Sequence, residues 1–314
     1  MPAPDPYVVV HGGVHKTATS FVQSILQRNA GKMRKSGVHY IHHRDTRKDF
    51  TYPCQLKGYE LLGMDYRRKY TDDELRAETL KFFDKVGAGP GERIILSDEN
   101  MPGHCGHCVG RGYLYSRRHV LIPLFAREIP YPVREVHLAV RNYADFFASA
   151  YVEYLRSASG RGAVVGEAQM KRGLLSKLPS WADFIREVAR AFEGAEMVIW
   201  RHEDFGALND RIVQNLIGPD VDVAKLARPK RSRGRPSASQ RAIDELLIAI
   251  KRDGAEAGLA QRVAIQDRYP RGPDYPGYDP WSAQERAHLI RTYERDMEAI
   301  GNMADVRMLE PEHA

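Results

Sequence analysis

The chain has 314 residues, 43% of them apolar and 28% charged, with a formal net charge of +6. That length can bury a large core, as one large domain or two small ones. No apolar run reaches the roughly 18 residues of a membrane helix, and three cysteines are too few for a disulfide framework. MPAPDPYVVVHGG has neither the basic opening nor the apolar stretch of a secretory signal, so the expectation is a reducing cytoplasm. The positive balance favours anionic partners without naming one.

In chain order, β-rich segments fall at Tyr7–Val10, Gly37–Ile41, Arg93–Leu96, Glu135–Val140 and Glu196–Trp200. Helical patterns lie between them at about 18–34, 72–86, 113–128, 142–156 and 178–193. Strand alternating with helix predicts a three-layer α/β fold, a parallel sheet of about five strands covered on both faces. Ser157–Lys177 is rich in glycine and serine and reads as a mobile loop. A second loop is expected at 225–239, where Lys225, Arg228, Lys230, Arg231, Arg233 and Arg235 cluster around Gly234. Helices near 238–252 and 282–300 flank a Pro/Tyr/Gly loop at 269–280. Nothing there reads as a second domain, so one domain over 1–314 is expected.

The most informative stretch is HGGVHKTATSFVQ, residues 11–23. It follows a strand and opens a helix. Gly12 and Gly13 permit close backbone approach. Free N–H groups and the positive end of the helix dipole suit an anion. Lys16 adds a full charge, and Thr17, Thr19 and Ser20 add hydroxyls. The pattern is a phosphate loop, although an ordinary glycine turn with a solvated lysine has the same spelling. It is not the nucleotide-triphosphatase loop G-x-x-x-x-G-K-[ST], because His15 precedes the lysine.

Lys16-Thr17-Ala18-Thr19-Ser20 with Gln23 resembles the cofactor loop of the sulfotransferases that use 3'-phosphoadenosine 5'-phosphosulfate (PAPS), bacterial members in particular. The resemblance implies a P-loop-like sulfotransferase fold. It places Gly13, His15, Lys16, Thr17, Ala18, Thr19 and Ser20 around the 5'-phosphosulfate, with alanine where glycine is usual at position 18. The family's second mark is an arginine leaving a later strand and a serine eight residues on, both on the 3'-phosphate. Arg141 and Ser149 have that spacing. Glu196–Phe205 resembles the family's R-Y-E-D-L ending, with His202 in place of tyrosine, and Tyr293–Ile300 its closing helix. The basic run offers Arg231, Arg233 and Gly234 as further 3'-phosphate residues, or simply as a solvated loop.

Sulfuryl transfer needs a group that removes the acceptor's proton and a positive charge on the leaving phosphate. Lys16 fits the second role. Glu99, in ILSDENMPG at the end of the third strand, is the first choice for the base, with Asp98 next and His15 and His11 behind. The resemblance thus predicts transfer to a hydroxyl or amine of a small-molecule, glycan or lipid acceptor, releasing 3',5'-adenosine bisphosphate, with no metal and no nucleic acid. His104-Cys105-Gly106-His107-Cys108 reads as an acceptor-pocket loop or a labile Cys105–Cys108 pair rather than a four-ligand zinc site. The rival readings are a P-loop small-molecule kinase and a non-catalytic binder of an anionic nucleotide or nucleic acid.

Overall fold

The computed structural model describes residues 4–12, 14–110, 112–229 and 237–312. One sheet holds β1 Tyr7–His11, β2 Val38–Ile41, β3 Arg93–Ser97, β4 Val133–Val140, β5 Glu196–Arg201 and β6 Val306–Leu309, in the order β2-β3-β1-β4-β5-β6. All five adjacent pairs are parallel. Parallel neighbours need crossover connections, which the intervening helices supply.

Successive strand residues point to opposite faces, so a strand covered on both sides needs unbroken apolar runs. Val8 and Val10, Ile94 and Leu96, and Leu138 and Val140 enter one core. Val9, Ile95 and Ala139, with Val198 and Trp200, enter the other. The helices Thr19–Arg34 and Phe205–Ile217 close this second core through Val22, Ile25, Leu26, Leu208, Ile212 and Leu216. The first is closed by Tyr143–Ser157, Trp181–Ala191 and Ala283–Gly301, whose Phe146, Trp181, Phe184 and Leu289 are wholly buried. The result is the three-layer α/β architecture that the alternating pattern predicts.

Three features depart from the sequence reading. A sixth strand, β6, adds to the edge of β5. Its VRML spelling hid it, because Arg307 faces an ion pair with Glu196 and not a core. Glu167–Lys177, expected to be loop, is a helix anchored by the buried pair Met170 and Leu174 at i,i+4 spacing. Between β2 and β3 the chain also forms helical segments at His43–Thr46, Arg47–Thr51 and Tyr52–Leu61. The middle one has π-helical pairing, a geometry that recurs at functional sites. Among the described residues, no helix is long and apolar enough to cross a membrane.

Candidate active site

The connection from β1 runs past β3 to β2, while the one from β4 runs the opposite way to β5. Between β1 and β4 the carboxyl ends of the strands therefore diverge, which is where open α/β sheets bind ligands. The loops after β1, β3, β4 and β5 all open at this edge.

In the β1 loop, Lys16 and Ala18 both adopt left-handed backbone, with φ of 68° and 64°, and Thr17 between them does not. Alternating handedness turns successive N–H groups toward one point and forms an anion-binding concavity. Ala18 also starts the Thr19–Arg34 helix, which has neither a side-chain cap nor an acidic residue in its first turn. Serine, threonine or asparagine caps the helices that begin at Asp72, Tyr143, Trp181, Gln240 and Ala283, while those at Tyr52, Arg118, Glu167 and Phe205 are uncapped too. The uncapped start at Thr19 leaves its donors and dipole for a ligand. Gly12 is closely packed: a Cβ there would lie 2.9 Å from the Met101 methyl and 3.0 Å from Leu138, so those side chains would have to shift. Thr17 and Thr19 are buried and donate their hydroxyls to the Val14 carbonyl, at 2.5 and 3.5 Å, while Ser20 is exposed. Gly13, Arg231, Arg233 and Gly234 lie outside the described residues.

Arg141 leaves β4 and reaches this loop. Its Nη1 donates to the Lys16 carbonyl at 2.7 Å, and its own carbonyl accepts from the Trp181 indole at 2.8 Å. Its Nε is buried with no hydrogen-bond partner. Burial is the first cause that pulls the Arg141 pKa down, against Asp145 and Glu203, which raise it. A guanidinium so placed is still charged, and its unmet donor is costly until an anion arrives. His202, after β5, sits against the Thr17 backbone with a buried, unpartnered Nδ1. Burial and then Arg141 lower its pKa. Ser149 is half-buried on the Tyr143–Ser157 helix, two turns beyond its start.

The β3 loop carries a dense polar network. Arg47 donates to Asp98 Oδ1 at 2.8 Å and to Glu99 Oε1 at 2.9 Å. Gln23 donates to Glu99 Oε2 and to Ser97, both at 3.2 Å. Ser97 in turn meets His11 Nδ1 at 2.9 Å. Burial pushes the Glu99 pKa up, but Arg47, His15 and the Gln23 hydrogen bond together hold it below the usual carboxylate value. Asp98 goes the other way: burial first, then Glu99, raises it, and its Oδ2 is unpartnered. Two adjacent carboxylates are thus driven apart in acidity, the arrangement that assigns acid and base roles.

His15 is fixed at both nitrogens. Nδ1 pairs with the Tyr115 hydroxyl at 2.9 Å and Nε2 with Asn100 Oδ1 at 3.2 Å. An amide oxygen only accepts, so Nε2 carries the proton and Nδ1 takes the hydroxyl's hydrogen bond. Burial lowers its pKa to about 4, against Glu99, which raises it. His11 is lowered to about 3 by burial and then by His137. Both are neutral near pH 7. Lys16 Nζ lies 3.6 Å from Glu153 Oε2.

The structure therefore gathers Lys16, Thr17, Ala18, Arg141, His15, Asp98 and Glu99 at one edge. Sequence reasoning missed Arg47, Asn100, Tyr115 and Glu153. Gln23 carried a signal in its place in the loop pattern, and Asp98, Glu99 and His11 in theirs beside the strand ends. Cys105 and Cys108 are buried and free, not paired, and Cys108 sulfur accepts from the Tyr115 N–H at 3.3 Å. Two cavities of about 410 and 450 Å³ lie elsewhere, one at Glu193–Glu196 and Asp305, the other between Arg34, Tyr40, Asp45 and Lys85. The unmet polar atoms at the β1–β4 edge mark the site better than concavity does.

No protein-family model matches the chain, and no curated protein matches it. A crystal structure of a sulfotransferase from Alicyclobacillus acidocaldarius is similar over 87% of this chain and 98% of its own, at 14% identity and a TM-score of 0.39. A likeness of that size leaves the chemistry to the site itself.

Proposed function

We propose that the chain is a PAPS-dependent sulfotransferase, moving a sulfuryl group to a hydroxyl or amine of an acceptor such as a carbohydrate or glycolipid. The observation that carries the reading is one contact: Arg141 Nη1 on the Lys16 carbonyl, with Arg141 Nε buried and unmet beside it. That contact joins two anion-ready groups from separate loops. A ligand with two separated phosphate ends fits the pair. The spelling of both segments, K-T-A-T-S and the Arg141/Ser149 spacing, agrees.

On this reading the left-handed Lys16–Ala18 turn and the free helix start hold the 5'-phosphosulfate, and Arg141 with Ser149 holds the 3'-phosphate. PAPS supplies an activated sulfuryl group. The acceptor oxygen or nitrogen bonds to sulfur as the sulfur–phosphate oxygen bond breaks. Lys16 offsets the charge that grows on the departing phosphate. Glu99, held ionised, takes the acceptor's proton, and Arg47 and Gln23 fix its carboxylate. His15 is neutral and its Nδ1 is committed to Tyr115, so it positions Asn100 and the loop. No metal enters the reaction as proposed.

Calorimetry with 3',5'-adenosine bisphosphate, against ATP with magnesium, tests this directly. The bisphosphate binds tightly and ATP weakly, and Lys16→Ala loses sulfuryl transfer while its melting temperature moves by only a few degrees, since a partly exposed loop residue with one long ion pair contributes about 1 kcal/mol or less. Tight ATP binding with phosphoryl transfer would instead make it a kinase.

A further inference from the structure

We propose that Glu153 is a positioning residue that holds the Lys16 ammonium while the site is empty and yields it to the 5'-phosphosulfate end of the donor. The inference rests on the donor reading above. The Tyr143–Ser157 helix carries Ser149 and, one turn on, Glu153. Residues four apart share a helix face, so one face serves both ends of the donor. Glu153 Oε2 is 3.6 Å from Lys16 Nζ, and the two side chains are 23% and 25% exposed. That separation is an ion pair longer than a hydrogen bond, so this partly buried pair lacks the charge-assisted hydrogen bond that makes such pairs strong. It can therefore be exchanged.

A further contact makes the exchange easy. Glu153 also meets Arg156 at 3.7 Å, so its charge keeps a partner when Lys16 leaves. Lys16 thus stands between two competing anions, one built into the protein and one brought by the donor. Its backbone is already in the left-handed turn of the phosphate loop, so the exchange needs only side-chain rotation. With the ammonium held by Glu153, every donor molecule must displace a carboxylate to reach it.

The test is a double-mutant cycle by calorimetry with 3',5'-adenosine bisphosphate, on wild type, Glu153→Gln, Lys16→Ala and the double variant. Glu153→Gln should bind roughly two- to fivefold more tightly, because the competing pair is gone. In the Lys16→Ala background the same change should bring no gain, which is the coupling signature. No gain in Glu153→Gln overturns the proposal. An equal gain in both backgrounds also overturns it, since Glu153 would then act by plain charge repulsion. Should Glu153→Gln fail to fold, Glu153→Met, similar in size and uncharged, replaces it. If wild type does not bind the bisphosphate, the donor reading falls by itself. The same cycle with metal-free ATP then decides the exchange by the same two criteria.

Discussion

Arg93 and Arg141 stand at opposite edges of one sheet and have opposite surroundings. Arg93, at the start of β3, uses its whole guanidinium. Nε meets the Tyr7 hydroxyl at 3.1 Å, Nη1 the carbonyls of Asn215 and Leu216 at 3.1 and 3.0 Å, and Nη2 Glu135 at 3.0 Å. Arg141, just past β4, makes one contact to the Lys16 carbonyl and keeps a buried Nε with nothing to bind. A charge that serves the fold is satisfied within the fold, because an unmet buried donor costs stability. A charge that serves a ligand is left partly unmet, because the ligand completes it. The same contrast separates Arg47, which anchors Asp98 and Glu99, from the uncapped start of the Thr19–Arg34 helix.

The contrast can be broken by substitution. The largest effect is expected at Glu99. Glu99→Gln keeps the shape and the Arg47 and Gln23 neighbours but cannot take a proton. Initial rates of transfer from PAPS should fall roughly 10²–10⁴-fold, the usual contribution of a general base, with binding of 3',5'-adenosine bisphosphate unchanged. Full activity would move the role to Asp98 or another group. Next comes the opposite edge. Arg93→Ala takes one of Glu135's two partners, leaving His137, and frees two carbonyls, so urea unfolding should show a loss of about 2 kcal/mol. Ligand affinity of the folded fraction should stay the same. A loss under about 1 kcal/mol would mean that Arg93 is no more structural than a surface arginine.

Arg141→Ala should reverse that profile. Affinity for 3',5'-adenosine bisphosphate should drop by about 1.5–3 kcal/mol, the scale of a charged hydrogen bond, and affinity for 5'-AMP far less. Thermal stability should change little, since loss of the hydrogen bond to the Lys16 carbonyl is offset by removal of a buried unmet donor. Equal losses for the two nucleotides would argue against a 3'-phosphate contact. The smallest effect is expected at Ala18. Its φ of 64° strains any residue with a Cβ by about 1–2 kcal/mol, and glycine's looser unfolded chain cancels part of the relief. Ala18→Gly should therefore raise stability by a few tenths to about 1 kcal/mol, and leave bisphosphate binding intact. Destabilisation would show that the loop's conformation is held by packing on the alanine methyl.

Much of this was legible before the fold was known, where the signal is local. A strand, two glycines, a lysine and an amphipathic helix occupy consecutive positions, and their geometry follows from neighbours in sequence. Arg141 was legible for the same reason, as the residue that leaves an apolar strand. The alternation of apolar runs with helical patterns likewise determined a parallel sheet covered on both faces, since no other arrangement buries such strands. What only the tertiary structure decided lies in contacts between distant positions. Arg47 meets Asp98 across 51 residues and Tyr115 meets His15 across 100. Nothing in either segment's spelling marks those partners, so the ionised state of Glu99 and the neutral, doubly engaged His15 could not be read. Glu153 drew no reading from its sequence, and only the fold sets it against Lys16. The sixth strand stayed hidden because an edge strand that faces an ion pair lacks the apolar run by which buried strands are recognised.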